Sequence, residues 1–331
     1  MTSHPRDTFD WFGPTPQEQA FLQALERGRL HHAWLVLGPE GVGKATFAYR
    51  AARRLLGARP RLDQGPLGAS PDDHVCRLIS QRAHPDLLVL QRDPEDGKTR
   101  RNIPVEEARE LSPFFAKTPA LSPYRVSIVD TADDLGAASA NALLKTLEEP
   151  PERGVIFLLA KSTAGLLPTI VSRCRRVVIP TAENAEARAW VSERSGLGGE
   201  EAEHLLKLTR GSAGAAWRLA DQGALDAVRT AARILDEAKR PAGLDLPALA
   251  ESVRFGSGAE RFKILFEALL EGVAQTALDL APSDLRAAEA WSRAWTDMRQ
   301  LQERLEAINL DRGEALLTSV DRLRALVASA H

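Results

Sequence analysis

The sequence at residues 38–44 reads Gly38-Pro39-Glu40-Gly41-Val42-Gly43-Lys44, which fits the phosphate-loop pattern Gly-x-x-x-x-Gly-Lys. An apolar run at 34–37 comes directly before it, and a helical pattern at 46–56 comes after it. In loops of this kind the glycines permit a tight wrap whose backbone N–H groups point at phosphates, and the lysine neutralises phosphate charge. The stretch therefore predicts a strand–loop–helix unit that binds a nucleotide through Gly38, Gly41, Gly43 and Lys44.

Short apolar runs continue through the first 180 residues, at 34–37, 87–90, 126–129, 155–159 and 177–179. They are rich in Val, Ile and Leu and are apolar on both faces, which is typical of buried strands in a parallel sheet. Helical patterns lie between them, for example at 105–115 and 140–149. This alternation predicts right-handed βαβ crossovers and an α/β fold with a doubly wound parallel sheet.

The strand pattern stops after Pro180, and the remaining sequence reads as helix. Beyond about Asp245, apolar residues recur at steps of three and four, as in Met298, Leu301, Leu305 and Ile308 and again in Leu316, Val320, Leu323 and Leu326. Three domains are predicted: a phosphate-loop α/β domain at 1–180, a small helical lid at 181–242 and an all-helical domain at 243–331.

Composition and charge exclude several classes of protein. A chain of 331 residues is long enough for two or three domains. With 43 Lys and Arg against 45 Asp and Glu, the formal net charge is -2, which excludes a surface coated in positive charge. Two cysteines, Cys76 and Cys174, are too few for a disulfide framework or a Cys-rich zinc site. The sequence has no apolar run of about 18 residues and no apolar leader, so we expect a cytoplasmic protein.

Two positions of the expected nucleotide site depart from the chemistry of hydrolysis. Such loops hold Mg²⁺ with a Ser or Thr after the lysine, but this chain has Ala45 there, and Thr46 is rotated by about 100° around the helix. Asp130 ends the third apolar run and can hold Mg²⁺ through water. Hydrolysing enzymes follow that aspartate with a glutamate that polarises water, whereas Thr131 follows it here. We therefore expect a loop that can cradle ATP or ADP without hydrolysing it.

Three stretches, in the same order, resemble bacterial DNA polymerase III clamp-loader subunits, which are AAA+ proteins. They are His32-Ala33-Trp34-Leu35, then Asn141-Ala142-Leu143-Leu144-Lys145-Thr146-Leu147-Glu148-Glu149-Pro150-Pro151, then Ser172-Arg173-Cys174. The second stretch is long and nearly diagnostic, and the resemblance covers about residues 15–220. It implies an AAA+ phosphate-loop fold and membership of a ring of subunits.

Within this family the chain looks like the delta-prime subunit rather than the gamma/tau motor subunit. Motor subunits carry Ser or Thr, Glu and Arg where this chain has Ala45, Thr131 and Gly214. The resemblance implies a non-hydrolysing stator, a subunit of the polymerase holoenzyme without ATPase or polymerase activity of its own. It also implies that Arg173 is the trans-acting arginine finger, which reaches the γ-phosphate of ATP on a neighbouring motor subunit. From composition alone, Arg173 is one of 35 arginines and lies in a basic run.

The resemblance further implies partners and cofactors. The ring is a hetero-pentamer with gamma/tau and delta subunits that loads the sliding clamp onto primed DNA, and the helices at 243–331 form its oligomerisation collar. Ser139 and Asn141, at the start of the 140–149 helix, either meet a DNA phosphate or cap a helix at a subunit interface. Many relatives bind zinc through four cysteines between the first two strands. Only Cys76 stands there, so we expect no zinc and no required cofactor.

Two other functions are compatible with parts of the pattern. The first is an active phosphate-loop ATPase of the motor type, in which Asp133 or Asp134 replaces the missing glutamate. The second is a stand-alone AAA+-like DNA-binding module, which the near-neutral charge disfavours.

Overall fold

The computed structural model describes residues 4–13, 15–92, 102–150, 152–182, 184–221, 224–239, 243–254, 258–308 and 311–329. By internal contacts the chain forms two compact units, one of Met1–Trp190 with Gly211–Ala215 and one of Val191–Arg210 with Ala216–His331. The domain boundary expected after residue 180 stays a prediction, as does the one after residue 242, which lies outside the described residues. None of the described helices is both long and apolar enough to cross a membrane.

The first unit contains a five-stranded sheet in the order β2-β3-β4-β1-β5, and every neighbouring pair is parallel. The strands are β1 (Ala33–Leu37), β2 (Leu87–Gln91), β3 (Arg125–Asp130), β4 (Gly154–Ala160) and β5 (Arg175–Val178). Because all five run in the same direction, their carboxyl ends share one edge of the sheet and their amino ends share the other. The α/β expectation, including all five predicted strands, is confirmed.

The described residues form fifteen α-helices. They are α1 (Thr15–Glu26), α2 (Lys44–Leu55), α3 (His74–Ser80), α4 (Val105–Arg109), α5 (Leu111–Phe115), α6 (Ala137–Glu148), α7 (Pro168–Ser172), α8 (Ala185–Ser195), α9 (Gly199–Leu208), α10 (Ala213–Asp221), α11 (Ala224–Lys239), α12 (Leu246–Arg254), α13 (Gly258–Leu280), α14 (Leu285–Ile308) and α15 (Arg312–Ser329).

Several elements differ from the sequence prediction in their bounds, and two of these differences have a local cause. The single helix predicted over 105–115 is two short helices, α4 and α5, because Pro113 has no N–H to donate to Arg109 and its ring crowds that carbonyl. Helix α6 begins three residues early, at Ala137. Strand β5 begins two residues early, at Arg175, since an edge strand is exposed and accepts charged side chains.

Both faces of the sheet are covered, which explains why its inner strands are largely apolar. Alternate side chains of β1 enter two separate cores, Trp34 and Val36 on one face and Leu35 and Leu37 on the other. Strand β4 is buried along its whole length. The first core is filled largely by α1 and α2, and the second by α6 and α7.

The second unit is built of helices joined by short turns, and none of its described residues forms a strand. Helix α13 packs against α11 and α14, and α12 packs against α15. The predicted apolar stripes face its interior, where Met298, Leu316 and Val320 are almost fully buried. Helix α15 starts at Arg312, where the preceding Asp311 accepts a hydrogen bond from the Glu314 N–H at 3.0 Å.

A buried ion pair connects α1 with α2, and its arginine also contacts the N-terminal segment and the loop that follows α2. Arg50 Nε donates to Glu18 Oε1 at 2.5 Å, and both side chains are only 2% exposed. The same guanidinium donates to the carbonyl oxygens of Phe9 at 2.7 Å and Gln64 at 2.6 Å. One buried arginine therefore joins α1, α2 and two loops.

We expect Glu18→Ala to lower the free energy of unfolding by about 3–5 kcal/mol, because it leaves the Arg50 charge buried without its counter-ion. Urea unfolding followed by circular dichroism measures this. The matched control is Asp63→Ala, which breaks the exposed Arg61–Asp63 pair and should change the value by less than about 1 kcal/mol. Equal effects of the two substitutions would contradict this account.

Candidate functional site

The predicted phosphate loop joins the carboxyl end of β1 to the first turn of α2. Gly41 and Gly43 have φ angles of 75° and 104°, in the left-handed region that glycine tolerates without strain. Gly43 directly precedes the first turn of α2, so the free N–H groups of that turn face the loop. The loop therefore has the backbone conformation and helix start that an anion-binding loop requires.

Lys44 is buried and turned into the loop. Its Nζ donates to the carbonyl oxygens of Gly38 and Pro39, at 2.8 Å each. Burial lowers the pKa of Lys44, while the nearby Asp130, Asp133 and Glu40 carboxylates act in the opposite direction. These bonds use two of the three N–H donors of the ammonium group, which leaves one for a phosphate oxygen.

Two other segments of the first unit pack against the loop. A Cβ atom placed on Gly41 would lie 2.5 Å from the Cβ of Ala215, and one placed on Gly43 would lie 2.7 Å from Nε1 of Trp11. Gly214 is equally close, since a Cβ there would lie 2.6 Å from the carbonyl oxygen of Gly41. The segment Gly211–Ala215, which includes the start of α10, thus approaches the loop closely through its backbone.

Asp130 ends β3 and lies on the same edge of the sheet as the loop. Strand β4 separates β3 from β1, which puts their ends about 10 Å apart. Burial raises the pKa of Asp130, Lys44 lowers it, and Asp134 and Glu40 raise it further. Asp130 and Lys44 therefore influence each other electrostatically, and their shared role in nucleotide binding stays a prediction.

The groups that could replace a missing catalytic glutamate already have contacts. Asp133 accepts a hydrogen bond through Oδ2 from the Lys161 N–H at 2.8 Å. Asp134 Oδ1 lies 3.4 Å from Nη1 of Arg92. Thr131 follows Asp130, and Ala45 and Thr46 follow Lys44, with the Thr46 side chain buried. The side chains next to the loop therefore provide anion binding more readily than activation of water.

Arg173 lies at the opposite edge of the sheet. It follows α7 and precedes β5, which pairs with β1 through Arg175 opposite Trp34. The phosphate loop begins after Leu37, at the other end of the five-residue strand β1, so the two features are separated by about 15 Å along the strands. Arg173 and the loop of the same chain cannot contact one phosphate.

The guanidinium of Arg173 is held at the surface by two contacts. Nη1 donates to the Thr169 carbonyl oxygen at 3.1 Å, and Nη2 lies 3.0 Å from Glu148 Oε1. The side chain is 37% exposed. Its neighbour Cys174 packs against the core on the α6 face, and burial raises the pKa of that thiol to about 12. The local backbone is therefore anchored while the arginine head remains accessible.

Ser139 and Asn141 lie in the first turns of α6 but face different surroundings. Ser139 is buried, and its Oγ donates to the Ile103 carbonyl oxygen at 2.9 Å. Asn141 is exposed. The N-cap residue Gly136 has no side chain to cap the helix, so its first N–H groups rely on other partners.

Metal-binding and redox features are limited in the part of the chain that the structure describes. It contains no cluster of three or more His, Cys, Asp or Glu side chains arranged to hold a metal ion. Cys76 and Cys174 are both free thiols, and Cys76 is buried. Burial raises the pKa of Cys76 to about 11, which keeps it a neutral thiol near pH 7.

Together, a parallel α/β sheet, a glycine-rich loop with a buried lysine after β1 and an aspartate after β3 define a phosphate-loop α/β protein. A family model described as "DNA polymerase III, delta subunit" matches residues 14–183. The chain belongs to this family of DNA polymerase III subunits, which confirms the resemblance found in the sequence.

Individual relatives agree with this assignment. The chain is 34% identical over 218 residues to the DNA polymerase III subunit delta' of Pseudomonas aeruginosa, an alignment that covers 66% of this chain and 62% of the relative. For the Escherichia coli delta' subunit the values are 33% over 206 residues, 62% and 59%. The E. coli tau subunit is 37% identical over 171 residues, with coverages of 51% and 25%. The chain thus spans about 60% of the delta' relatives' length.

Among solved structures, a gamma subunit-related protein of Thermotoga maritima is 20% identical and superposes with a TM-score of 0.49, covering 93% of this chain and 99% of its own.

Sequence patterns missed two groups around these sites. Trp11 lies outside the motifs of the sequence, yet its indole lies against Gly43 of the loop. Glu148 lies inside the longest family-like stretch, but nothing in the pattern connects it with Arg173, 25 positions further along. Both contacts depend on how distant segments pack.

We expect Asp130→Asn to raise stability at pH 7. Because the pKa of Asp130 is raised in the folded chain, folded molecules bind a proton more tightly than unfolded ones just above pH 3.8, and stability falls as pH rises through that window. The asparagine variant lacks this loss, so its urea midpoint should exceed that of the parent at pH 7. The difference between the two midpoints should become smaller as the pH approaches 4. The exposed Asp72→Asn serves as control, and an Asp130→Asn midpoint at or below the parent's at pH 7 would oppose this prediction.

Proposed function

We propose that this chain is the non-hydrolysing delta-prime (stator) subunit of a DNA polymerase III clamp loader. In this role it donates Arg173 as a trans-acting arginine finger to ATP bound by a neighbouring gamma/tau motor subunit. The observation that carries the proposal is the separation of Arg173 from the phosphate loop of its own chain by the full length of the sheet. An exposed arginine at that distance serves a phosphate on another chain or none.

The chemistry of guanidinium suits this task. Arginine keeps its charge at every physiological pH, and its planar fork stabilises the negative charge that spreads over phosphoryl oxygens during transfer. The two contacts of Arg173 use two of its five N–H donors, which leaves three for phosphate oxygens. The neighbouring Arg175 is less suited, because it lies over the ring of Trp34, 4.8 Å from its centre.

The loop of the chain itself supports nucleotide binding without turnover. Ala45 supplies no hydroxyl for Mg²⁺, Thr131 is no base near neutral pH, and Asp133 accepts a backbone hydrogen bond. ATP or ADP is therefore an optional ligand of the Gly38–Lys44 loop rather than a substrate, and zinc is not required.

The remaining parts of the assembly follow from the same role. The α/β domain at 1–180 and the lid at 181–242 carry the interfaces with motor subunits, and the helices at 243–331 join a collar with gamma/tau and delta subunits in a hetero-pentamer. Primed DNA and the sliding clamp are engaged by the whole ring in the cytoplasm. Asn141 is the better of the two DNA-contact candidates on α6, because Ser139 is buried. A near-neutral chain fits this division, since DNA affinity belongs to the assembly.

We expect Arg173→Ala to lower the DNA-stimulated ATPase of the reconstituted loader at least about tenfold while the pentamer still assembles, because the finger stabilises charge only in the transition state. Size-exclusion chromatography and steady-state ATPase measure the two properties. The matched control is Arg176→Ala, which removes an exposed arginine of the same basic run and should leave both properties unchanged. Full ATPase in the Arg173→Ala complex would overturn the finger assignment.

We expect the isolated chain to show no ATP turnover that depends on Lys44. Parent and Lys44→Ala proteins are compared for phosphate release with Mg²⁺ and for binding of a fluorescent ATP analogue with and without Mg²⁺. Binding that requires Lys44 but is insensitive to Mg²⁺ is the expected pattern, since Ala45 contributes no metal ligand. Lys44-dependent turnover would favour the motor-type ATPase, and tight salt-sensitive binding of primed DNA by the free chain would favour a stand-alone DNA-binding module.

A further inference from the structure

Helix α6 runs from one edge of the sheet to the other. It begins at Ala137, shortly after the carboxyl end of β3, and ends at Glu148, shortly before the amino end of β4. Its last turn therefore lies at the edge of the sheet that also holds the start of β5. Arg173 leads into β5 at that edge, and the Arg173 Nη2 to Glu148 Oε1 distance is 3.0 Å.

We infer that Glu148 is a positioning residue for Arg173: its carboxylate holds the guanidinium in the orientation in which it meets the phosphate of a neighbouring subunit. This inference rests on the proposed arginine-finger function and assigns a further residue to it. Glu148 itself touches no nucleotide in this arrangement and acts only through Arg173.

The two contacts of the guanidinium come from different elements. Thr169 lies in α7, directly before Arg173 in the chain, whereas Glu148 belongs to α6. A contact from the same short helix limits the first torsions of the side chain, and a contact from a second helix fixes the direction of the planar head. An arginine without the second contact loses more side-chain entropy when it docks onto a phosphate.

The anchor points on both sides are rigid. The Arg173 N–H donates to the Ile170 carbonyl oxygen at 3.1 Å, and Ile170 is fully buried. On α6, Leu147 precedes Glu148 and is also buried, in the same core as Ile170. The carboxylate and the guanidinium are thus attached to backbones packed against one core, which is the support that a precisely oriented group needs.

Because the Glu148–Arg173 ion pair is exposed, it contributes little to the free energy of folding. A mutation of either residue can therefore be tested for function without loss of the fold. Glu148 is 51% exposed and Arg173 is 37% exposed, and ion pairs of this kind add little to stability. Removing the carboxylate should therefore leave the fold and the pentamer intact. Glu149, the next residue and also exposed, is the matched control because it carries the same charge one position away.

The test is a double-mutant cycle in the reconstituted loader. We expect Glu148→Ala to lower kcat of the DNA-stimulated ATPase about three- to tenfold, with KM for ATP within about twofold, because misplacing the finger affects the transition state more than ATP binding. Glu148→Gln, which keeps a hydrogen-bond acceptor, should recover part of the loss. Glu149→Ala should match the parent. In an Arg173→Ala background, Glu148→Ala should cause no further loss.

The outcomes separate the inference from the function on which it rests. If Arg173→Ala lowers kcat but Glu148→Ala does not, the finger stands and the positioning role is wrong. If Glu148→Ala lowers kcat equally with and without Arg173, the carboxylate acts by another route and the inference is again wrong. If Arg173→Ala itself has no effect, both fail. Urea midpoints of the single variants, expected to equal the parent's, show that folding does not cause the change.

Discussion

The pairing of β1 between β4 and β5 is the interaction on which the rest of the first unit depends. Its parallel register sets Leu37 opposite Ala160 and Val178, so the phosphate loop, Lys161 and the end of β5 share one edge. The same register puts the start of β5, and with it Arg173, at the other edge. One set of backbone hydrogen bonds thus separates the phosphate loop from an exposed arginine of the same chain.

Burial on both faces keeps that sheet rigid. Trp34 and Leu35, adjacent in β1, enter opposite cores, and β4 has no exposed residue. Each fully buried large apolar side chain contributes about 1.5–3 kcal/mol relative to exposure. One buried polar group of this unit, the Asp86 side chain, is paired with backbone donors. The fully buried Asp86 carboxylate accepts hydrogen bonds from the N–H groups of Ala120, Leu121 and Ser122. Because Asp86 directly precedes β2, these bonds fix the loop before β3 to the start of β2.

The sequence predicted the strands well because a strand buried on both faces is apolar at every position, a local signal that needs no tertiary context. It predicted β5 less well, since Arg175 and Arg176 lie on an exposed edge where charge is tolerated. The break between α4 and α5 at Pro113 was visible in principle. The apolar periodicity of residues 105–115 favoured one continuous helix. The missing N–H of Pro113 nevertheless divides it, because the loss of one hydrogen bond ends a short helix more readily than a long one.

By itself the sequence determined the phosphate loop and the family to which the chain belongs. It also determined the absence of the hydroxyl and the carboxylate that hydrolysis needs. All of these depend on residue type at fixed spacing along one segment. The tertiary structure alone decided that Lys44 bonds to its own loop carbonyls, that Gly214 approaches Gly41 and that Arg50 pairs with Glu18. It alone brought Glu148 to Arg173. These contacts join residues far apart in the chain, and strand register and helix packing, rather than any local pattern, set the distance between them.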